Sequence, residues 1–167
     1  DLSIGAIAAL SLLIVNKIAL ETDLPQGIGV LIAMGACLVI GWINGFIVVK
    51  LRVNSFIATL GMSQVVAAII RNIHDGGQIN GELSDTYRSF GKGDIFAFDW
   101  PGTGSEIALP WYFLYGLIIT IIVYYVLEHT PVGRHMFATG GNPEAARLSG
   151  INTDRITWGG LVASAAL

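Results

Sequence analysis

The strongest constraint on this chain is a set of apolar runs, most of them close to the thickness of a bilayer's hydrocarbon core, separated by charged segments. The first run is 2–20; its nineteen residues, if helical, reach about 28 Å, against a core of roughly 30 Å. Runs 27–49 and 110–128 are of similar length, and 56–73 is a more polar third. The fifth, 156–167, is still apolar where it stops at Leu167, and Asp1 is not an initiator methionine. The chain therefore reads as a piece of something longer. Alone it is expected to fold poorly, because its lateral apolar surfaces would be uncovered. Composition agrees: 53% of residues are hydrophobic and 13% charged, where soluble domains carry roughly 25% charged residues. The pattern predicts an all-α polytopic membrane protein, a fragment of a multi-span helical bundle. Its spans are 2–20, 27–49, 56–73, 110–128 and 156–167, with loops at 74–109 and 129–155.

Few polar residues interrupt the runs. Gly41-Trp-Ile-Asn-Gly45 puts two glycines one turn apart, the spacing that lets a second helix come close in a membrane. Asn44 beside it admits two readings, an interhelical hydrogen bond or a place in a transport pathway. Thr59 and Ser63 are four apart on one helix face, with Gln64 next to them. This face is read as packing into the bundle in preference to lining a translocation pathway. Asp1 is read as a helix cap in preference to a lining residue of a polar cavity, since a buried carboxylate is costly. Lys17 can snorkel to the interface. Trp111 and Tyr112 make an aromatic belt at the start of the fourth run.

Residues 74–109 form a loop long enough to be functional, rich in glycine and acid. Its aromatic residues (Tyr87, Phe90, Phe96, Phe98, Trp100) could bury a small hairpin, lie on the membrane surface or meet a partner.

Segment 129–155 holds Gly140-Gly-Asn-Pro-Glu-Ala-Ala-Arg-Leu-Ser-Gly150, a short helix with its own start and stop signals. Asn142 is a good N-cap, and Pro143 suits the first helical position, where its missing N–H costs nothing. Glu144 lies at the positive end of the helix dipole and Arg147 toward the negative end. Gly150 can take the left-handed conformation that ends a helix. About seven residues make a helix too short to stand alone, so it must pack on something. Glu144 and Arg147, three apart, are open to pairing with each other or with a partner protein. Thr153-Asp154 can cap the fifth run.

Charge asymmetry sets an orientation. With Lys50 and Arg52 inside, 129–155 falls on the same side and adds Arg134, Arg147 and Arg155, whereas the opposite loops hold only Arg88 and Lys92 with eight of the twelve acids. The positive-inside rule makes 129–155 cytoplasmic and 74–109 external. Catalytic motifs are missing: no Walker A, G-x-S-x-G, H-E-x-x-H or G-x-G-x-x-G occurs. His74, His129 and His135 lack ligand spacing, and the single cysteine, Cys37, lies mid-span. No catalytic residue, metal site, cofactor or nucleic-acid partner is expected, and the lipid bilayer is.

Glu144-Ala-Ala-x-x-x-Gly150 resembles the cytoplasmic loop by which permease subunits of bacterial ABC importers engage their ATPase. Thr130-Pro-Val-Gly-Arg134, Ala138-Thr-Gly-Gly-Asn142 and Ala145-Ala-Arg-Leu-Ser-Gly-Ile151 resemble, more narrowly, permeases of the ribose/xylose-type monosaccharide importers. Asp1-Leu-Ser-Ile-Gly5, Asn44-Gly45, Lys50-Leu-Arg-Val53 and Phe56-Ile-Ala-Thr-Leu-Gly61 match that family in order, and Leu51–Met62 leans toward its xylose branch. The resemblance implies a multi-pass subunit of the bacterial inner membrane that pairs with a second permease copy. It also implies an ATP-binding subunit inside and a sugar-binding protein outside. The residues expected to couple to the ATPase are Gly141, Asn142, Glu144, Ala145, Ala146, Arg147 and Gly150. The competing readings are an ATP-independent secondary transporter or channel, and a membrane-anchored interaction scaffold.

Overall fold

Every polar backbone group inside a bilayer must find its partner within the protein, which leaves helices as the economical way to build these runs. In the computed structural model, which describes residues 1–22, 24–74, 93–99 and 106–167, they are helical. Helix α1 spans Ile4–Glu21, α2 Gln26–Val49, α3 Ser55–His74 and α4 Trp111–His129. All four are long and apolar enough to cross a membrane. Three shorter helices follow: α5 (Pro131–Gly141), α6 (Pro143–Leu148) and α7 (Thr153–Ala166). The four prolines among the described residues all stand at helix starts. Pro25 and Pro110 are the N-caps of α2 and α4, and Pro131 and Pro143 are the first residues of α5 and α6. There the missing N–H has no intrahelical partner to lose.

The described residues divide into two units. In the first, α1, α2, α3 and α7 share a core of Ile7, Leu10 and Leu13 from α1, Cys37 and Ile40 from α2, Val66 from α3 and Ala165 from α7. The G-x-x-x-G of α2 is a packing face against α7. A β-carbon on Gly41 would stand 2.7 Å from that of Ala165 and 3.0 Å from the Leu161 carbonyl, and one on Gly45 would collide with the Trp158 ring. Trp42 and Phe46 close the same contact, with ring centroids 5.5 and 6.3 Å from that of Trp158. Lys17 reaches the far end of α3, where its Nζ donates to the Ile73 carbonyl at 3.4 Å.

The second unit is an antiparallel ribbon leading into α4. Strand β1 (Asp94–Asp99) pairs with β2 (Glu106–Pro110), with Ala97 opposite Ala108 and an irregularity between Asp94 and Phe96. The Trp111 amide donates to the Gly93 carbonyl at 3.1 Å, extending the ribbon to the first residue of α4. Helix α4 buries none of its residues.

Several local expectations change. The loop expected over 74–109 contains the ribbon, a small β element in the second unit; residues 75–92 and 100–105, with Tyr87, Phe90 and Trp100, lie outside the described residues. Segment 129–155 is mostly helix, because α5 runs through Gly133 and Gly140. The last helix starts at Thr153, and its cap is Asn152, whose Oδ1 accepts from the Arg155 amide at 3.0 Å; Thr153 and Asp154 are inside it. Asp1 is not the cap of α1. Ser3 is the N-cap of α1, and Asp1 Oδ1 accepts from the Ser3 amide at 2.8 Å and its hydroxyl at 2.6 Å, while Oδ2 accepts from the Ser164 hydroxyl at 3.1 Å. The carboxylate thus ties the start of α1 to α7.

Candidate functional site

Helix α6 is fixed at both ends by groups of its own sequence. Asn142 has extended backbone (φ −152°, ψ 100°), and its Oδ1 accepts from the amides of Glu144 at 3.1 Å and Ala145 at 3.0 Å. Two of the free N–H groups of the first turn are satisfied in this way. At the other end Gly150 takes φ +84°, its amide donates to the Arg147 carbonyl at 2.9 Å, and the Ile151 amide donates to the Ala146 carbonyl at 3.0 Å. That pair of bonds is the Schellman motif, which a β-carbon at Gly150 would strain. The whole turn-helix-turn is therefore determined within ten residues of sequence.

The helix has two sides. Ala146 is buried, whereas Gly141, Asn142, Glu144, Ala145, Arg147, Leu148 and Gly150 are exposed. Ala146 is thus the foot of the helix on its own chain, and Ala145 is on the open side. Leu148, three residues from Ala145, is 87% exposed, an apolar side chain held out on a rigid helix. No local pattern marks it, because the two sides of α6 are set by what Ala146 packs against.

Arg147 does not pair with Glu144. Its Nε donates to Thr153 Oγ1 at 2.8 Å and its Nη2 to Asp154 Oδ1 at 2.9 Å. The other carboxylate oxygen of Asp154 accepts from Arg52 Nη2 at 3.2 Å. Arg52 lies in the turn between α2 and α3, and these bonds put that turn, α6 and the start of α7 at one end of the unit. Glu144 makes no ion pair among the described residues.

The residues singled out as pathway candidates sit apart from this cluster. Asn44 is fully buried; its Nδ2 donates to Ser3 Oγ at 3.0 Å, and its Oδ1 finds no partner among the described residues. Thr59 is also buried; its Oγ1 donates to the Ser55 carbonyl at 2.8 Å and accepts from the Leu2 amide at 3.1 Å. The Ser63 hydroxyl turns back on the Leu60 carbonyl at 2.6 Å, and Gln64 is exposed. Asn44 and Thr59 both reach the start of α1; Ser63 and Gln64 do not join them. No cluster of metal-ligating side chains occurs among the described residues.

A family model described as the permease component of branched-chain amino acid transport systems matches residues 1–167. The chain belongs to this permease family. The ribose import permease protein of Escherichia coli K12 is 33% identical over 157 residues, covering 93% of this chain and 46% of that protein. The fructose import permease protein of Rhizobium meliloti is 31% identical over 164 residues, covering 93% and 42%. The galactose/methyl galactoside import permease protein of Haemophilus influenzae is 31% identical over 137 residues, covering 81% and 38%. The permease chain thus spans less than half the length of these curated relatives. None of the three is named for xylose, so the lean of Leu51–Met62 toward that branch gains nothing from them. No solved structure matches the chain.

Proposed function

We propose that this chain is part of the transmembrane permease subunit of an ATP-binding-cassette importer in a bacterial inner membrane. The subunit moves a monosaccharide of the ribose type inward, and ATP is hydrolysed in a separate subunit. The observation that carries this reading is α6: six residues, capped at both ends by its own sequence, footed on Ala146 and presenting Glu144, Ala145 and Leu148 outward. A rigid helix with an exposed leucine is suited to seat in a groove of a partner and to pass on its movement. The names of the relatives, import permeases for ribose, fructose and galactose, support a sugar as the solute.

In this reading α6 and the Lys50–Arg52 turn face the cytoplasm, which the distribution of lysine and arginine supports. Segment 74–109 faces outward, toward a sugar-binding protein. Closure of the ATPase dimer pushes on α6, and the bundle exchanges outward- and inward-facing arrangements. Two copies of the permease work together. Asn44 and Thr59 serve the pathway indirectly by holding the start of α1. The test is uptake: the full-length subunit, reconstituted with its ATPase and sugar-binding protein, accumulates ribose only when ATP is supplied on the cytoplasmic side. Accumulation without ATP would favour a secondary carrier.

A further inference from the structure

The proposed coupling needs a route from α6 into the bundle, and α6 itself is not continuous with any membrane span. We infer that Asp154 is that route: a positioning residue that locks α6, the α2–α3 turn and the first turn of α7 into one body. The inference rests on the ATPase-coupling reading above.

Three observations carry it. Asp154 uses both carboxylate oxygens on guanidinium groups from different parts of the chain, Arg147 at 2.9 Å and Arg52 at 3.2 Å. These are charge-assisted bonds, which are shorter and stronger than neutral ones. Arg147 is held a second time by Thr153, the residue before Asp154, at 2.8 Å, so its fork is fixed in direction as well as distance. Arg52 is the one non-glycine residue at positive φ (58°) among the described residues. A side chain there is unfavourable unless the surroundings hold it; the Leu51 amide donates to the Phe46 carbonyl and the Val53 amide to the Ile47 carbonyl, both at 3.4 Å, and the side chain itself ends on Asp154. An isolated exposed ion pair is worth little, but a network with fixed geometry is worth more. Here it joins the α2–α3 turn and the first turn of α7 to α6, and so links a push on α6 to α2, α3 and α7.

The experiment uses the full-length subunit, carrying Ala145→Cys, in proteoliposomes with its ATPase and sugar-binding protein, and reads ribose taken up per ATP hydrolysed. Arg52→Gln leaves the Arg147–Asp154 and Arg147–Thr153 bonds in place, so α6 stays docked. Both Arg52→Gln and Asp154→Asn are expected to keep the crosslink between position 145 and the ATPase while uptake per ATP falls about fivefold, the lower end of typical coupling between sites. The double variant is expected to be no worse than Asp154→Asn alone, because the two side chains act as one link. Arg52→Lys is expected to recover part of the loss. Unchanged uptake per ATP in both single variants, with the crosslink retained, would overturn the inference and leave the coupling reading standing. Fully additive losses in the double variant would overturn it as well, since Arg52 would then act elsewhere. Absence of the crosslink in the protein carrying Ala145→Cys alone would overturn the coupling reading itself, and the inference with it.

Discussion

The indole ring of Trp158 occupies the space that a β-carbon on Gly45 would need. This is why α2 and α7 can run side by side with Trp42, Phe46 and Trp158 packed across them. Gly45→Ala is expected to destabilise the full-length subunit by about 1–3 kcal/mol, the usual range for overpacking. Gly61 has nothing within 4 Å of its β-position, so Gly61→Ala is expected to be neutral, or stabilising by up to about 1 kcal/mol through helix propensity. Thermal unfolding in mild detergent distinguishes the two; equal behaviour would contradict the packing described.

Asn44 and Ser3 form the buried hydrogen bond that joins α2 to the start of α1 at 3.0 Å. Asn44→Ala and Ser3→Ala are each expected to lower stability by about 1 kcal/mol, as for other hydrogen bonds within membrane bundles. The double variant should lose clearly less than the sum, because both single changes remove the same bond. Strictly additive losses in the same unfolding assay would show that the two side chains act independently.

The ends of α6 are set by Asn142 and Gly150. Removing the cap by Asn142→Ala is expected to cost about 1 kcal/mol and to speed hydrogen exchange at the Glu144 and Ala145 amides, which Asn142 Oδ1 now holds. Asn142→Asp should leave that protection in place. At φ +84°, Gly150→Ala is expected to cost about 1–2 kcal/mol, and Gly150→Asn less. Unaltered exchange in Asn142→Ala would mean that the helix is held by something other than its cap.

Leu148 and Ala146 are expected to behave in opposite ways. With Leu148 at 87% exposure and Ala146 at 4%, Leu148→Ser should leave the thermal transition where it is but weaken binding of the ATPase by about tenfold, as for an apolar anchor at an interface. Ala146→Leu should instead lower the transition, because its site is already filled. A Leu148→Ser protein that binds its ATPase normally would remove the leucine from the proposed contact.

Local signals were the legible ones. Apolar runs of bilayer length became α1 to α4 because each run meets its own backbone needs. Asn142, Pro143 and Gly150 were readable because caps act within a few residues. Readings fail where the partner is distant or where a segment is placed only by its position between spans. Segment 129–155 lies between two apolar runs, and part of it is α5. The partner of Arg147 lies beyond the reversal at Gly150, so spacing within one helix pointed to Glu144 and missed Asp154. Asp1, placed as a helix cap, instead joins two elements 163 residues apart through Ser164, which no local pattern announces. Leu148 was missed because the division of α6 into two sides depends on what Ala146 packs against.

The most direct measurement places a cysteine at Ala145, on the open side of α6, in the full-length subunit with its ATPase. Crosslinking from the cytoplasmic side is followed with and without ATP. Coupling through α6 predicts a crosslink to the ATPase whose yield changes with ATP. No crosslink from any position between Asn142 and Ser149 would contradict it, and would favour an ATP-independent carrier in which α6 is only a turn at the membrane surface.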